Sequence, residues 1–590
     1  RSPVPEGEGM CQLCGSEPRE SSAISRRTLF AAAAGLAVTP MMLGTPAEAA
    51  THADAEADLI LHNGHVVTAA LHGRTTQAIA IRGGRVLAAG PSDRIRRLGG
   101  RHTRTVDLKG RAVVPGLIDS HLHQFTSALD RPNVSLLEAR SIADVVAAIG
   151  TRVAASAAGA WVQARSGWHE SLLAEGRLPA RAELDPVSPE NPVFIPRGGH
   201  VATVNSKALE LAGITRDTPD PTGGVIVRDA NGEPTGVLLE RARSLVTPVL
   251  PAPPSADQQR RQLRDQMAEH NALGITGVTE PGLDPSQIEI YTRLWHDGEM
   301  TTRAHLLWRI AALADVDAAV AAFKPRTGDD MLRFDGLKYL SDGGVEGGFL
   351  RDPYQLVPGE QTSPDYHGVQ LLPPGGRDEL TEMYRRAARH GFQVQTHVVG
   401  DAAMDFIVDV LATVHRDTSL AHLRWVLMHL FLPSGPNLAH MRKMGLLASV
   451  QDHPVLLGAN QVKWWGAERG SRAVPIRDIL DAGLLAGGGT DAPVVPPSPL
   501  WSLGWMVTRE TLKGDVLGPE QAITAREALH LYTLGSAQTQ FAEHTLGTLD
   551  PGKLADLVVL DADPLTTDPG AIKDLGVTMT VVGGRVVHET

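Results

Sequence analysis

The chain has 590 residues, of which 42% are hydrophobic and 21% are charged, and its formal net charge is -12 at pH 7. This length exceeds the size at which a single core stops growing, so we expect one large domain with accessory parts. The composition is that of an ordinary globular protein. The negative charge argues against nucleic acid or an anionic membrane surface as the main partner.

The first 49 residues have the features of an export signal. Arg26 and Arg27 form a twin-arginine pattern, which is followed by the apolar run AAAAGLAV and by an A-x-A cleavage site at Ala47–Ala49. The apolar run is too short to span a bilayer. We expect residues 1–49 to be a twin-arginine signal peptide, and the rest of the chain to be periplasmic or secreted without a stable membrane anchor.

Both cysteines, Cys11 and Cys14, lie inside this leader. A C-x-x-C pair can bind metal or be redox-active, but one pair in a removable leader is weak evidence for either. Cleavage would leave a mature chain with no disulfide, no thiolate ligand and no cysteine nucleophile.

Short β-type runs separated by Gly and Asn-Gly turns extend from Ala57 to Val114, and the same texture returns from about Gly547 to the C-terminus. We expect residues 50–112 and 541–590 to pack together as one composite β-sandwich.

Between these ends, apolar strands alternate with helical patterns, which predicts parallel β/α units and an α/β fold. Eight such strands suit a distorted (β/α)8 TIM barrel, formed by residues 113–134 and 271–540, with its chemistry at the carboxyl ends of the strands. The predicted strands are Val113–His123, Gly274–Glu280, Arg303–Ile310, Phe334–Leu340, Phe392–Val398, Arg424–Leu430, Leu446–Gln451 and Leu484–Thr490. The predicted helical stretches include Gln258–Gly274, Asp378–Gly391 and Met404–His415.

The interval between the first and second predicted strands is far longer than a loop and a helix need. We therefore expect residues 135–270 to form an inserted subdomain beside the mouth of the barrel.

The first barrel strand carries the earliest candidate ligands. Its apolar run delivers His121 and His123 two residues apart, and side chains at i and i+2 point to the same side of a strand. Two converging imidazoles are well placed to hold one divalent metal. Two hydrogen-bonded core histidines are the alternative.

Lys338 lies inside the otherwise apolar strand Phe334–Leu340. Burying an ammonium is costly, which favours the neutral amine. A neutral amine can react with carbon dioxide to give a carbamate, an oxygen ligand able to bridge two metals. The alternative is a lysine paired with Asp335 or Asp342.

Three more candidates stand at strand ends, namely His397, His429 and Asp491, the last preceded by glycines that let the backbone approach a ligand. A donor set of imidazoles and a carboxylate is typical of zinc sites, and Mn, Fe, Co and Ni remain alternative ions.

Together these residues resemble the ligand set of the amidohydrolase superfamily. The phrases VFIPRGGHVATVNSKAL, QTHVVGDAAMD, GGGTDAPVVPPSPL and LGTLDPGKLADLVVLDADP are similar to its amidohydrolase-3 (YtcJ-like) branch, which includes N-substituted formamide deformylases. The resemblance implies a metal-dependent barrel that hydrolyses amide-type bonds. It also implies metal ligation by His121, His123, Lys338 as a carbamate, His397, His429 and Asp491.

Three phrases depart from the family pattern: Ser341–Gly348 after the lysine, Leu430–Leu432 after the sixth strand, and Asp452-His453, which adds two polar groups near the mouth. These departures leave the expected metal ligands unchanged. They bear on which substrate the protein accepts.

Substrate contacts are expected from the inserted segment. His200 is the strongest candidate, because the family phrase around it is intact. Two aromatic pairs, Trp168-His169 and Trp464-Trp465, could line a pocket, although core packing explains buried aromatic residues equally well.

The predicted mechanism follows from this resemblance. One or two divalent ions, with zinc as the first candidate, would activate a water. Asp491 would take the proton of that water and pass it to the leaving amine. The predicted enzyme hydrolyses an amide or formamide-type C–N bond of a small molecule. A lactone or ester hydrolase, an N-acyl amino acid deacylase, and a non-catalytic binding or regulatory protein on the same scaffold remain alternatives. The sequence is compatible with a homo-oligomer.

Overall fold

The computed structural model describes residues 56–71, 74–199, 201–221, 224–356 and 365–590. The predicted leader, with both cysteines, and the candidate residue His200 lie outside the described residues. Within those ranges, no helix is long and apolar enough to cross a membrane.

A barrel of eight parallel strands forms the centre of the fold, and the strands are neighbours in chain order. They are β1 (Leu117–Asp119), β2 (Ile275–Leu283), β3 (Arg303–Arg309), β4 (Leu332–Leu340), β5 (Gln393–Val398), β6 (Val426–His429), β7 (Leu447–Gln451) and β8 (Ala486–Gly489). Backbone hydrogen bonds from Ser120 N to Gly488 O (2.9 Å) and from Asp491 N to His121 O (2.7 Å) bring the two edges together. The predicted distorted (β/α)8 barrel is confirmed.

The first predicted strand, Val113–His123, is in fact two strands. Ala112–Pro115 belongs to the sandwich, and only β1 belongs to the barrel. Gly116 lies between the two strands. A Cβ at this position would lie 2.3 Å from Thr276 Oγ1. The chain therefore changes sheets at a position where only glycine fits.

Helices cover the outside of the barrel. The three predicted helical stretches are confirmed as Ala256–Ala272, Gly376–Arg389 and Asp401–Asp417. Ser255 caps the first of them, because its hydroxyl accepts a hydrogen bond from Gln258 N. The other α-helices of four or more residues that follow barrel strands are Gln124–Asp130, Pro285–His296, Leu313–Ala322, Gly435–Met444, Pro454–Trp465, Ala467–Ser471, Ile476–Asp481, Pro499–Thr508, Ala525–His530 and Ser536–Thr539.

Both ends of the described chain build one β-sandwich. Leu557–Leu560 pairs antiparallel with Ala112–Pro115, with Val558 opposite Val114. Apolar side chains of both pieces pack in a shared core, as expected for a composite domain. One sheet contains Arg85–Gly90, Ala78–Arg82, Ala57–His62 and Gly99–Asp107, and the other contains Arg585–Glu589, Val577–Val582, Leu557–Leu560, Ala112–Pro115, His65–Ala69 and Arg74–Thr76.

The inserted subdomain after β1 is also present. Its helices include Ile142–Ala154, Arg181–Leu184 and Ser206–Leu211. Its sheet runs in the order Gly224–Arg228, Pro234–Glu240, Val201–Val204, Val193–Arg197 and Val162–Gln163. A Cβ at Gly167 would lie 2.8 Å from Pro493 O, which places this part of the insert directly on the carboxyl end of β8.

The glycines of β8 allow the barrel to close. A Cβ at Gly487 would lie 2.8 Å from Ser120 Cβ, and a Cβ at Gly488 would lie 2.7 Å from the Tyr532 ring. The sequence suggested that glycines before Asp491 let the backbone approach a ligand. In the structure, Gly487 and Gly488 instead let it approach Ser120 and Tyr532.

We expect Gly489→Ala to lower the free energy of unfolding by about 1–3 kcal/mol, because a Cβ there would lie 2.7 Å from Asp119 Oδ1 and 2.8 Å from His121 N. Gly435→Ala is the matched control, since a Cβ at Gly435 meets nothing within 4 Å. Urea denaturation of both variants checks this, and an equal loss in the two would contradict it.

Candidate metal centre

Five of the predicted ligands meet at the carboxyl ends of four barrel strands. His397 lies in β5 and His429 ends β6, while Asp491 follows β8 by two residues. All five are more than nine-tenths buried; the set is His121, His123, His397, His429 and Asp491.

His121 and His123 converge through a turn. They lie between β1 and the helix Gln124–Asp130, and His123 stands at the N-cap of that helix. We expected these side chains to converge because residues i and i+2 of a strand point to the same side. That reason is wrong, since both histidines lie beyond the end of β1. His123 N donates to Ala492 O (2.7 Å), so the turn is fastened to the segment that carries Asp491.

Asp491 lies at the middle of the cluster. Its Oδ1 is 3.0 Å from His121 Nε2 and 3.2 Å from His123 Nε2, but neither contact has hydrogen-bond geometry. Its Oδ2 is 2.9 Å from His453 Nε2. Burial acts to raise the pKa of Asp491, but its contacts with these imidazoles hold that pKa well below its usual range. Asp491 is therefore an ionised carboxylate.

The imidazoles of His397 and His429 stand edge to face, with ring centroids 4.5 Å apart. Burial, followed by the charge of Lys338, lowers the pKa of His397 to about 3. Burial also holds the pKa values of His121 and His429 well below the usual range. Neutral imidazole is the form that binds a metal.

The backbone is strained at this site. His429 and Asp491 adopt left-handed φ values of 73° and 61°. Such conformations are uncommon outside glycine and are concentrated at functional sites.

Lys338 lies below the cluster in β4 and is 1% exposed. Its Nζ is 2.7 Å from Met428 Sδ, which is also 3.0 Å from His121 Nδ1. The two carboxylates considered as its partners bond elsewhere: Asp335 pairs with His305 and Arg333, and Asp342 accepts from three backbone N–H groups.

These residues fit a divalent metal. The ligand atoms of His121, His429 and Asp491 lie within 4.8 Å of one another, and all three residues are buried. His429 Nδ1 is buried without a hydrogen-bond partner in the described ranges. Neutral imidazoles around one carboxylate form a donor set for a first-row divalent ion such as zinc.

Comparison with known proteins agrees with this chemistry. The model of the amidohydrolase family matches residues 104–588. The chain belongs to the amidohydrolase family.

Individual members show the same likeness. YtcJ of Bacillus subtilis is 29% identical over 546 residues, which cover 90% of this chain and 99% of the relative. The N-substituted formamide deformylase of Arthrobacter pascens is 30% identical over 553 residues, which cover 90% of this chain and 98% of the relative. A solved uncharacterised metal-dependent hydrolase from Pyrococcus horikoshii has 25% identity and a TM-score of 0.67, covering 87% of this chain and 99% of the other. This amidohydrolase is a metal-dependent hydrolase of carbon–nitrogen bonds.

Asp119 supports the ligands of the amidohydrolase from below. It accepts hydrogen bonds from His121 N (3.0 Å) and Thr490 Oγ1 (2.8 Å), and it thereby holds the ends of β1 and β8 together. Burial raises the pKa of Asp119 to about 7. Such support orients metal ligands without contacting the metal.

The expected substrate-contacting residues occupy several environments. His200 lies outside the described residues. Trp168 is buried and donates from Nε1 to Pro196 O (2.7 Å), and His169 Nε2 lies 3.3 Å from Asn460 Nδ2. Trp464 and Trp465 are buried in the core, as the packing alternative predicts.

A buried ion network that the sequence interpretation missed joins the insert to the mouth. Arg197 Nε lies 2.9 Å from Glu170 Oε2, and Arg197 Nη1 pairs with Glu346 Oε1. The guanidinium also lies 5.8 Å from the centre of the Trp464 ring. The only sequence signal was Arg197 directly before the Gly-Gly-His phrase.

Asp452 is a buried carboxylate beside this site. Neither oxygen has a hydrogen-bond partner of good geometry in the described part of the chain. Burial raises the pKa of Asp452 well above its usual range, and the nearby Ser502 hydroxyl opposes this only in part.

We expect Asp452→Asn to stabilise the protein by about 1–3 kcal/mol at pH 8, because it removes a buried carboxylate that is poorly hydrogen-bonded. A carboxyl group with a raised folded-state pKa contributes stability below its unfolded-state pKa and loses it as the pH rises. Asparagine does not titrate, so the advantage of the variant should shrink towards pH 4. Thermal melting at pH 5 and pH 8 measures this, and the same advantage at both would argue against it.

Proposed function

We propose that this amidohydrolase hydrolyses the C–N bond of an N-substituted formamide or a related small amide, with Asp491 as general base and acid. The observation that carries the proposal is the position of the Asp491 carboxyl group, whose oxygens lie 2.9–3.2 Å from three imidazoles at the mouth of the barrel. A divalent ion, zinc by its donor chemistry, would be held by His121, His123, His397, His429 and Asp491, and would acidify a water and polarise the substrate carbonyl.

The proton transfers then fall to Asp491. Its low pKa keeps it ionised at neutral pH, so it can accept the proton of the attacking water. The same carboxyl group would return that proton to the leaving nitrogen as the C–N bond breaks. His121, His397 and His429 stay neutral, since burial lowers the pKa of each of them.

The substrate class is supported by the N-substituted formamide deformylase of Arthrobacter pascens, which is 30% identical to this chain. A lactone or ester hydrolase and an N-acyl amino acid deacylase remain second candidates, since an activated water attacks those carbonyls too. Retention of all the expected ligand positions favours an enzyme over a binding protein.

Two further features belong to this proposal. Lys338 would carry a carbamate bridging a second ion, and His200 would contact the substrate. Zinc-loaded protein, chelator-treated protein and reloaded protein should be tested on formamides, N-acyl amino acids, lactones and esters. We expect the highest kcat/KM with formamides, loss on chelation and recovery on reloading. Metal-bound protein that turns over none of the panel would favour a binding role.

Export through the twin-arginine pathway is also proposed, on Arg26, Arg27 and the cleavage site at Ala47–Ala49. Changing both arginines to lysine should retain the precursor in the cytoplasm, which cell fractionation measures. Normal amounts of exported protein from that variant would disprove the pathway.

A further inference from the structure

His453 divides the two oxygens of Asp491 between different partners. It directly precedes the helix Pro454–Trp465 and follows β7 by two residues. Its Nε2 lies 2.9 Å from Asp491 Oδ2, whereas the other oxygen, Oδ1, lies 3.0 Å from His121 Nε2. One oxygen therefore faces the candidate ligands, and the other faces His453.

His453 Nε2 and Asp491 Oδ2 lie within hydrogen-bond distance of each other, at 2.9 Å. A carboxylate only accepts hydrogen bonds, so in this contact the Nε2–H of His453 donates and Oδ2 accepts. The opposite nitrogen, Nδ1, is buried without a hydrogen-bond partner among the residues that the structure describes. Charge-assisted hydrogen bonds of this kind are shorter and stronger than neutral ones.

The surroundings of His453 keep its ring in place. The ring centroid lies 5.4 Å from that of His429 and 5.1 Å from that of Phe431. Its carbonyl accepts from Leu457 N (2.8 Å), which fixes the backbone at the start of the helix. His453 is 4% exposed, so water does not compete freely for Nε2.

We propose that His453 is a positioning residue that holds Asp491 Oδ2, so that the carboxylate presents only Oδ1 to the metal and keeps Oδ2 in a fixed orientation for proton transfer. Without this hydrogen bond, Asp491 is free to turn and offer both oxygens to the ion. Partners that orient metal ligands typically change metal affinity or activity by about 10–100-fold when removed. The kinetic part of this inference rests on the proposed function, while the geometric part does not.

The test compares His453→Leu with His453→Gln. In His453→Leu, an apolar side chain replaces the imidazole and the hydrogen-bond donor is lost. In His453→Gln, the amide nitrogen can reach a position close to that of Nε2 and can donate in its place. His305→Leu is the matched control, because His305 forms another buried contact with a carboxylate, that of Asp335, on β3 and β4. Each protein is loaded with cobalt(II), and its visible spectrum, its cobalt affinity against a chelator and its melting temperature are measured.

We expect His453→Leu to change the cobalt spectrum and the affinity, His453→Gln to restore both in large part, and His305→Leu to alter only the melting temperature. With a formamide substrate, His453→Leu should lower kcat by about 10–100-fold with a smaller change in KM. A wild-type cobalt spectrum and affinity in His453→Leu would overturn the inference, as would equal changes in the leucine and glutamine variants. Since the spectrum needs no substrate, these results stay interpretable if no formamide is hydrolysed.

Discussion

Asp491→Asn is expected to lower kcat by about 10²–10⁴-fold, the range that a positioned acid–base group contributes. Asparagine keeps the shape of the side chain but cannot accept a proton from water. Its Oδ1 can still face His121 and His123, which lie 3.0 Å and 3.2 Å from the native oxygen. We therefore expect a folded protein that binds metal more weakly and turns over very slowly.

Steady-state kinetics on the best substrate and metal analysis of the same preparation measure the two effects separately. Asp556→Asn is the matched control, because Asp556 is also buried and accepts a hydrogen bond from Arg303 Nε (2.7 Å) at the start of β3, away from the carboxyl ends of the barrel strands. That variant should lose stability and keep its kcat. A fall in kcat of less than tenfold in Asp491→Asn at full metal occupancy would assign the proton transfers to another group.

The barrel could be predicted because short strand patterns alternate along the chain with helical patterns, as in parallel β/α units. Seven of the eight predicted strands are present with ends displaced by a few residues, and the first is divided between the sandwich and the barrel. The break at Gly116 could not be predicted, since Val113–Val114 and Leu117–Ile118 belong to one apolar run. Only the contact of Gly116 with Thr276, far along the chain, separates the two sheets.

The candidate site was predicted to the extent that residue type and strand position define it. His397, His429 and Asp491 stand at strand ends, where a barrel places its chemistry. The role of His453 depends on its contact with Asp491 across two different strand ends, which no local pattern reveals. The same holds for Arg197, whose partner Glu346 comes from the segment after β4.

Lys338→Ala is expected to lose metal and activity together, with metal affinity falling by at least about 10–100-fold. The physical reason is the proposed carbamate, because two cations would face each other without the anion between them. Short carboxylic acids such as formate or acetate should then restore part of both by supplying that anion. Metal analysis, kinetics with added carboxylate, and the intact mass of the native protein measure these results.

The contacts of Lys338 define the competing outcome. Its Nζ and His121 Nδ1 both lie against Met428 Sδ, at 2.7 Å and 3.0 Å, so an unmodified lysine has a packing role below His121. Lys338→Met is the matched variant, since it keeps an unbranched buried side chain and removes the amine. If the bridge is correct, the alanine and methionine variants lose metal alike, and carboxylates rescue the alanine variant better because it leaves more space. The competing outcome is that both variants retain one ion, that carboxylates rescue neither, and that the native mass includes no added carbon dioxide. These results would limit the centre to one ion, and Asp491 would still support the hydrolase proposal.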